Sequence, residues 1–238
     1  MDYIRNNWMT VGVIIYLAAM VLYGHYRGFL RTSVTAAATL VTICAARYGT
    51  PVVTGFLRRN TGLFGLLEKN ILEKIGMTQT EQLTGPAEQR MAIEATSLPD
   101  ALKEALVENN NSEIYRMLGV DSFAKYVSGY LANCLMSIIV FLVIFIAVFL
   151  LLRFIVIALD IIEKIPVLAG LNQIAGAVLG GVMALVFLWV AMLVVTAFSG
   201  TETGAMLAAE IQRSPVASYI YDHNALGLIM LMVMRTIM

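Results

Sequence analysis

The chain has 238 residues, of which 59% are hydrophobic and 13% charged, and its mean hydropathy is +0.80. Soluble domains average ~45–50% apolar and ~25% charged residues, so this composition excludes an ordinary soluble protein and indicates a surface that lies largely in lipid. The formal net charge of zero, without a basic patch that carries interleaved aromatic side chains, argues against nucleic acid as a partner.

Two apolar runs open the chain and predict a first transmembrane hairpin over residues 8–48. The runs cover residues 9–23 and 29–48, each close to the ~20 residues that a helix needs to cross a bilayer. The second helix is expected to end around Gly49-Thr50-Pro51, because proline removes a backbone donor and disfavours helix at the residue before it.

One face of the second helix is predicted to be polar, because threonines recur there at steps of three and four. Small and hydroxylated residues on one side of a membrane helix allow close approach of a neighbouring helix, so the favoured interpretation is helix packing. The alternative is a polar lining for a solute path. The residues are Thr32, Thr35, Thr39 and Thr42.

Residues 49–120 are soluble-like in composition and predict a helical extramembrane insertion. Apolar residues at helical spacing from Phe64 to Ile75 indicate an amphipathic helix, and Leu98-Pro99-Asp100 is typical of the start of another. Asn109-Asn110-Asn111 should end that second helix. The many carboxylates of this region are interpreted as a solvated surface.

A second transmembrane hairpin is predicted over residues 121–200. Its apolar runs cover residues 135–152 and 174–198, and the second begins with small residues at four-residue steps, which is typical of close helix packing. These small residues are Gly176, Gly180 and Ala184. Residues 201–238 are expected to form an amphipathic tail. Within it, the run 225–234 is too short to span and is predicted to be interfacial, re-entrant or a docking segment.

No pattern in the sequence predicts catalysis, a cofactor or a metal site. The two histidines are far apart, the two cysteines lie in apolar segments, and neither a phosphate-binding glycine loop nor a nucleophile elbow is present. We therefore expect an all-α integral membrane protein that is not an enzyme. It has four transmembrane helices, an inserted helical extramembrane loop and a short amphipathic or re-entrant C-terminal segment.

Two polar hinges separate the helices of the two hairpins and should lie on the same side of the membrane. We expect their side chains to form one polar contact surface. The hinge residues are Arg27, Gly28 and Arg31 in the first, and Asp160, Glu163, Lys164 and Asn172 in the second.

At these hinges the chain resembles the colicin V production protein family, CvpA, of bacterial inner-membrane proteins. The similar motifs are Arg27-Gly28-Phe29-x-Arg31, the pair Glu163-Lys164, and Gly170-Leu171-Asn172 followed by Gly176 and Gly180. The resemblance covers roughly residues 8–48 and 125–226. It departs at Met183 and Ala184, where members often carry a basic residue and a glycine.

The resemblance implies an inner-membrane protein linked to colicin V production, a toxin biosynthetic process, and to envelope homeostasis. The partners expected are the lipid bilayer and other membrane proteins, or a second copy held through small-residue helix faces. Arginines of the first hinge predict a cytoplasmic turn with both termini outside. An oligomeric channel or transporter lined by the threonine face is the alternative, and an enzyme acting on a lipid-linked substrate is a distant third.

Overall fold

The computed structural model describes residues 7–75, 83, 85–96, 98, 100–158 and 170–230. Within these ranges the chain forms α-helices and no β-strand, and residues 225–230 are also helical. The helices are α1 (Trp8–Arg27), α2 (Phe29–Asn60), α3 (Leu63–Ile75), α4 (Pro86–Glu94), α5 (Asp100–Glu108), α6 (Ser112–Leu118), α7 (Phe123–Ala158), α8 (Leu171–Ala197), α9 (Glu202–Arg213) and α10 (Pro215–Asp222).

Four helices, α1, α2, α7 and α8, are long and apolar enough to cross a membrane. The predicted all-α fold with four membrane helices is therefore confirmed. Helix α1 packs along α8 and helix α2 along α7, while α2 also touches α8. The bundle is thus arranged as two long helix pairs that share a central contact.

A single residue, Gly28, turns the chain from α1 into α2. Its φ of +75° lies in the region that side chains with a Cβ rarely adopt, which explains glycine at this position. The Gly28 N–H donates to the Gly24 carbonyl at 2.9 Å, and the Gly28 carbonyl accepts from the Thr32 N–H at 3.1 Å. The turn is therefore closed by the ends of the two helices that it joins.

The predicted end of the second helix at Gly49-Thr50-Pro51 is wrong, because α2 continues through Pro51 to Asn60. Proline removes one backbone hydrogen bond, but packing overrides this cost here. Ala46, Thr50 and Thr54 are fully buried, and the Thr50 hydroxyl donates to the Ala46 carbonyl at 2.6 Å. With 32 residues, α2 is about 48 Å long and exceeds the ~30 Å hydrocarbon core.

The short helices α3 to α6 lie on the N-terminal part of α7, which with 36 residues is longer than a membrane span requires. Tyr126 is fully buried, donates its hydroxyl to the Leu106 carbonyl at 2.6 Å, and stacks on Tyr115 with ring centroids 4.9 Å apart. The predicted helix around residues 64–75 corresponds to α3 and the one after Leu98 to α5. The predicted insertion therefore shares its hydrophobic core with α7. Its boundary was predicted too early, because Gly49 lies inside α2.

Asn111 explains why a new helix starts after the asparagine run. Its side-chain oxygen accepts the N–H groups of Glu113 and Ile114, each at 3.1 Å, which caps α6. Helix α5 ends at Glu108, as the run Asn109-Asn110-Asn111 predicts.

The described C-terminal segments dock on α8 and α1. The Trp189 indole N–H donates to the Ile220 carbonyl at 3.2 Å, and the Asn224 amide donates to the Trp189 carbonyl at 3.1 Å. Leu226 and Met230 are buried in the main core. Residues 225–230 therefore form a docked helix, whereas 231–234 of the predicted run lie outside the described residues.

Tyr221 adds a polar contact between the C-terminal segments and α8. Its hydroxyl lies 2.8 Å from that of Thr196, which itself donates to the Met192 carbonyl at 2.9 Å, so Tyr221 is the donor to Thr196. Burial raises the pKa of Tyr221, and the phenol keeps the proton that this bond requires.

Replacement of Pro51 tests the continuity of α2. Pro51→Ala should raise the free energy of unfolding by about 1–3 kcal/mol, because alanine restores the missing N–H and is favoured in a helix interior. Thermal unfolding in mild detergent measures the change. Pro51→Gly is the control and should gain ~1 kcal/mol less than alanine. A lower melting temperature for Pro51→Ala would show that the bundle requires the shape of proline here.

Candidate functional site at the hinge face

The hinge face is the end of the bundle at which α1 ends, α2 begins, α7 ends and α8 begins. Its centre is a backbone contact between α1 and α8. A Cβ placed on Gly24 would lie 2.9 Å from the Gly180 Cα, and one placed on Gly176 would lie 2.7 Å from the Gly28 carbonyl carbon. Real Cβ atoms do not approach backbone so closely, so glycine is required on both helices.

Asn172 links the two hinges directly. Its side-chain oxygen accepts the backbone N–H of Leu30 at 3.1 Å, which satisfies one of the donors left free at the start of α2. The amide nitrogen of Asn172 lies against Gly28, where a Cβ would collide with it. The first residues of α8 therefore hold the α1–α2 turn in place.

Of the predicted hinge residues, the structure brings Gly28 and Asn172 into contact and places Arg27 beside them. The Arg27 guanidinium donates to the Tyr23 hydroxyl at 2.6 Å. Arg31 has an interaction partner of its own. The predicted contacts of Asp160, Glu163 and Lys164 lie outside the described residues.

A cavity of about 260 Å³ lies beside this junction, between all four membrane helices. Its polar side chains come from three of them, and arginine is the one charged residue type in the described lining. The lining consists of Met20, Tyr23, Arg27, Thr32, Thr35, Phe149, Arg153, Gly180, Met183 and Phe187.

Two hydroxyl groups in the cavity wall have no hydrogen-bond partner among the described residues. They belong to Thr32, which is 5% exposed, and Thr35. A buried hydroxyl left unpaired costs about 1–3 kcal/mol. Both oxygens lie beneath the surface of the cavity wall, so a ligand would reach them only after a local side-chain rearrangement.

Arg153 reaches the cavity from α7, five residues before that helix ends at Ala158. This places its Cα about 7.5 Å from the helix end, near the level at which arginines extend to lipid headgroups. Among the described residues it has no ion pair. An arginine at the membrane boundary normally pairs with an anion or with water, and the cavity offers room for either.

The threonine face of α2 divides into two parts. Thr32 and Thr35 line the cavity, whereas Thr39 and Thr42 are buried and donate to carbonyls of their own helix at 2.9 and 2.8 Å. These internal bonds favour the packing interpretation for Thr39 and Thr42. The remaining predicted packing residue, Ala184, is fully buried on α8.

Two features of this site were not predicted from the sequence. Gly24 packs against Gly176 and Gly180, and its four-residue spacing from Gly28 could have indicated this. Arg153 was not among the predicted site residues. Away from this site, buried polar atoms of Thr54, Asn133 and Ser137 on α2 and α7 also lack a described partner.

The described side chains do not suggest a metal or cofactor centre at this site. In the part of the chain that the structure describes, no three His, Cys, Asp or Glu residues are grouped as metal ligands. What the hinge face offers instead is cationic and hydroxyl donors around an apolar cavity, an arrangement suited to holding an anionic group.

The fold and the hinge site define a multi-pass α-helical membrane protein whose helices α1 and α8 are joined by a glycine contact. Residues 116–225 match the family model described as Colicin V production protein. Over these residues the chain is therefore similar to the colicin V production protein family, and the predicted resemblance is confirmed for this segment. No curated protein and no solved structure matches the chain significantly.

The matched segment contains α7, α8, α9 and α10, with Asn172, Gly176 and Gly180. The turn at Arg27 lies outside it, so the resemblance over residues 8–48 stays a prediction. The structure nevertheless places that turn against the matched segment, because Gly24 and Gly28 are contacted by α8.

The glycine contact can be tested by adding one methyl group. Gly176→Ala should lower the free energy of unfolding by about 1–3 kcal/mol, because its Cβ meets backbone atoms that cannot move aside cheaply. Gly12→Ala is the matched control on α1, where a Cβ would meet nothing within 4 Å. Thermal unfolding of both variants in lipid nanodiscs measures the difference. Equal stability of the two variants would contradict the contact.

The cap that Asn172 provides to α2 is tested by a pair of substitutions. Asn172→Ala should lower the free energy of unfolding by about 0.5–2 kcal/mol, the range for loss of a side-chain cap. Asn172→Asp should cost less, because a carboxylate still accepts the Leu30 N–H and a negative charge is favoured at a helix N-terminus. Chemical unfolding in detergent compares them, and identical losses would show that the oxygen acceptor is irrelevant.

Proposed function

We propose that this protein supports colicin V production and envelope maintenance through contacts within the membrane, without catalysing a reaction. The observation that carries the proposal is the junction at which the family segment holds the basic α1–α2 turn. Asn172, Gly176 and Gly180 of that segment fix the position of Gly28 and hence of Arg27. A rigid basic surface of this kind suits recognition rather than chemistry.

The charged groups of the extramembrane helices also fit a supporting role. The ion pairs of the described residues join neighbours three or four positions apart, as in Arg90–Glu94 at 2.8 Å and Lys125–Asp121 at 2.9 Å. Such exposed pairs are typical of a solvated helical surface. Hydrogen bonding to Lys125 holds the pKa of Asp121 below its usual range, so this carboxylate stays ionised.

The contact surfaces proposed for partners are the outward apolar faces of the bundle. The small-residue face of α8 at Gly176 and Gly180 is filled by α1 of the same chain. Exposed apolar side chains on α8 include Ile174 and Val178. We therefore place lipid and partner membrane proteins on such faces and the glycine contact inside the protein.

The proposed location is the bacterial cytoplasmic membrane, with the hinge face in the cytoplasm and both termini outside. Arg27, Arg31 and Arg153 all belong to the hinge end of the bundle. Basic residues near short connections favour the cytoplasmic side. The arginines at the other end of α2, Arg58 and Arg59, precede the long extramembrane region, where this preference is weak.

The alternative, an oligomeric channel lined by the threonine face, stays a prediction. The internal hydrogen bonds of Thr39 and Thr42 favour packing at those two positions. The same purified protein can be used to distinguish the two functions. Reconstituted alone in vesicles, it should not move ions or small solutes above the rate of empty vesicles, and substantial flux would favour the channel.

Complementation tests the proposed function in cells. In a colicin V-producing bacterium that lacks its own family member, the wild-type chain should restore secreted colicin V activity and resistance to detergent. Gly176→Leu should insert in the membrane but restore neither, because leucine separates α1 from α8. Gly12→Leu, the matched control, should restore both. Full restoration by a normally abundant Gly176→Leu protein would contradict the role of the junction.

A further inference from the structure

We propose that the hinge-face cavity is a binding site for the phosphate group of an anionic phospholipid from the adjacent leaflet. The geometry points to an anion first. Arg27 and Arg153 line the same cavity from different helices, and no acidic side chain is part of its described lining. Two positively charged residues therefore share one cavity, and the described lining contains no counter-charge.

The hydrogen-bond donors of the cavity match a phosphate better than water alone. A guanidinium carries five N–H donors, and Arg27 donates one of them to Tyr23 at 2.6 Å. The hydroxyls of Thr32 and Thr35 are buried without a described partner, and Thr32 is 5% exposed. The guanidinium donors of Arg27 and Arg153 therefore suit a tetrahedral, negatively charged oxygen acceptor, and the two hydroxyls could add to them after a local rearrangement.

The walls of the cavity select a lipid as the source of that phosphate. Met20, Phe149, Met183 and Phe187 make most of the surface apolar. A volume of about 260 Å³ corresponds to ~9 water molecules, which is enough for a phosphate with its glycerol carbons but not for acyl chains. The chains would therefore remain in the bilayer while the headgroup occupies the cavity.

The position of the cavity in the bundle agrees with a lipid whose headgroup enters it while the acyl chains stay in the bilayer. Arg27 ends α1 and Arg153 lies close to the end of α7, so both belong to the end of the bundle where headgroups are found. Thr35, Phe149 and Arg153 also line a smaller cleft that continues to Val156 on α7. That cleft extends the site along the helix surface.

Lipid titration of the purified full-length chain tests the site. In neutral detergent, phosphatidylglycerol should raise the melting temperature saturably, while a glycolipid with the same acyl chains and no phosphate should not. Arg27→Gln and Arg153→Gln should each weaken the apparent affinity for phosphatidylglycerol by roughly tenfold, the lower end for a lost charge-assisted hydrogen bond. Thr32→Val should weaken it less.

Matched measurements separate binding from folding. Each variant is first melted without lipid, so that a change in stability is not mistaken for a change in affinity. Arg31→Gln is the control, because it removes one positive charge near the same turn and Arg31 is not part of the cavity lining. The affinity of this variant for phosphatidylglycerol should equal that of the wild type. Arg153→Lys keeps the charge and should recover part of the binding.

Three results would overturn the proposal. If inorganic phosphate stabilised the protein with the same dependence on Arg27 and Arg153 while phosphatidylglycerol did not, the ligand would be a free phosphate and the lipid assignment would be wrong. If all variants responded to phosphatidylglycerol alike, general attraction to an anionic surface would replace the site. Equal stabilisation by the phosphate-free glycolipid would show that the cavity recognises only chains.

Discussion

The backbone contact between α1 and α8 is the constraint on which the rest of this structure depends. Apolar side chains gain little from helix association in lipid, because the lipid tails are apolar as well, so close van der Waals packing must hold the helices together. Gly24 faces Gly176 and Gly180 without intervening side chains. This approach brings Asn172 to the start of α2, where it accepts the Leu30 N–H and fixes the turn at Gly28.

The same contact determines where the polar groups of the membrane helices lie. Arg27 follows Gly24 by one helical turn, and its position is set once α1 is seated on α8. Helix α7 brings Arg153 and α2 brings Thr32 to the same cavity. Charged residues are costly in an apolar phase, and their concentration around one cavity at the membrane boundary indicates a site that recognises an anion. The opposite end of the bundle is covered instead by short helices that pack on α7 and α8.

The membrane helices could be predicted because hydropathy and length alone distinguish them. The helix around residues 64–75 was visible for a similar reason, since its apolar residues recur at helical spacing. The end of α2 was predicted wrongly because a local rule for Pro51 was applied where buried packing of Ala46, Thr50 and Thr54 decides the outcome. The cavity was missed because Thr32 and Arg153 are far apart in sequence and meet only when all four helices are assembled. The four-residue spacing of Gly24 and Gly28 is visible in the sequence. Its role in helix packing could not be predicted, because the partner glycines lie in α8.

Disulfide cross-linking in native membranes tests the α1–α8 contact most directly. A Cβ on Gly181 would lie 3.3 Å from the Val21 Cγ2, so cysteines at these two positions face each other. In a chain whose Cys44 and Cys134 are replaced by alanine, Val21→Cys with Gly181→Cys should form a linked peptide rapidly on mild oxidation, detected by mass spectrometry. Gly12→Cys with Gly181→Cys should form none. Failure of the first pair to link, in protein that is inserted and reduced at the start, would contradict the account.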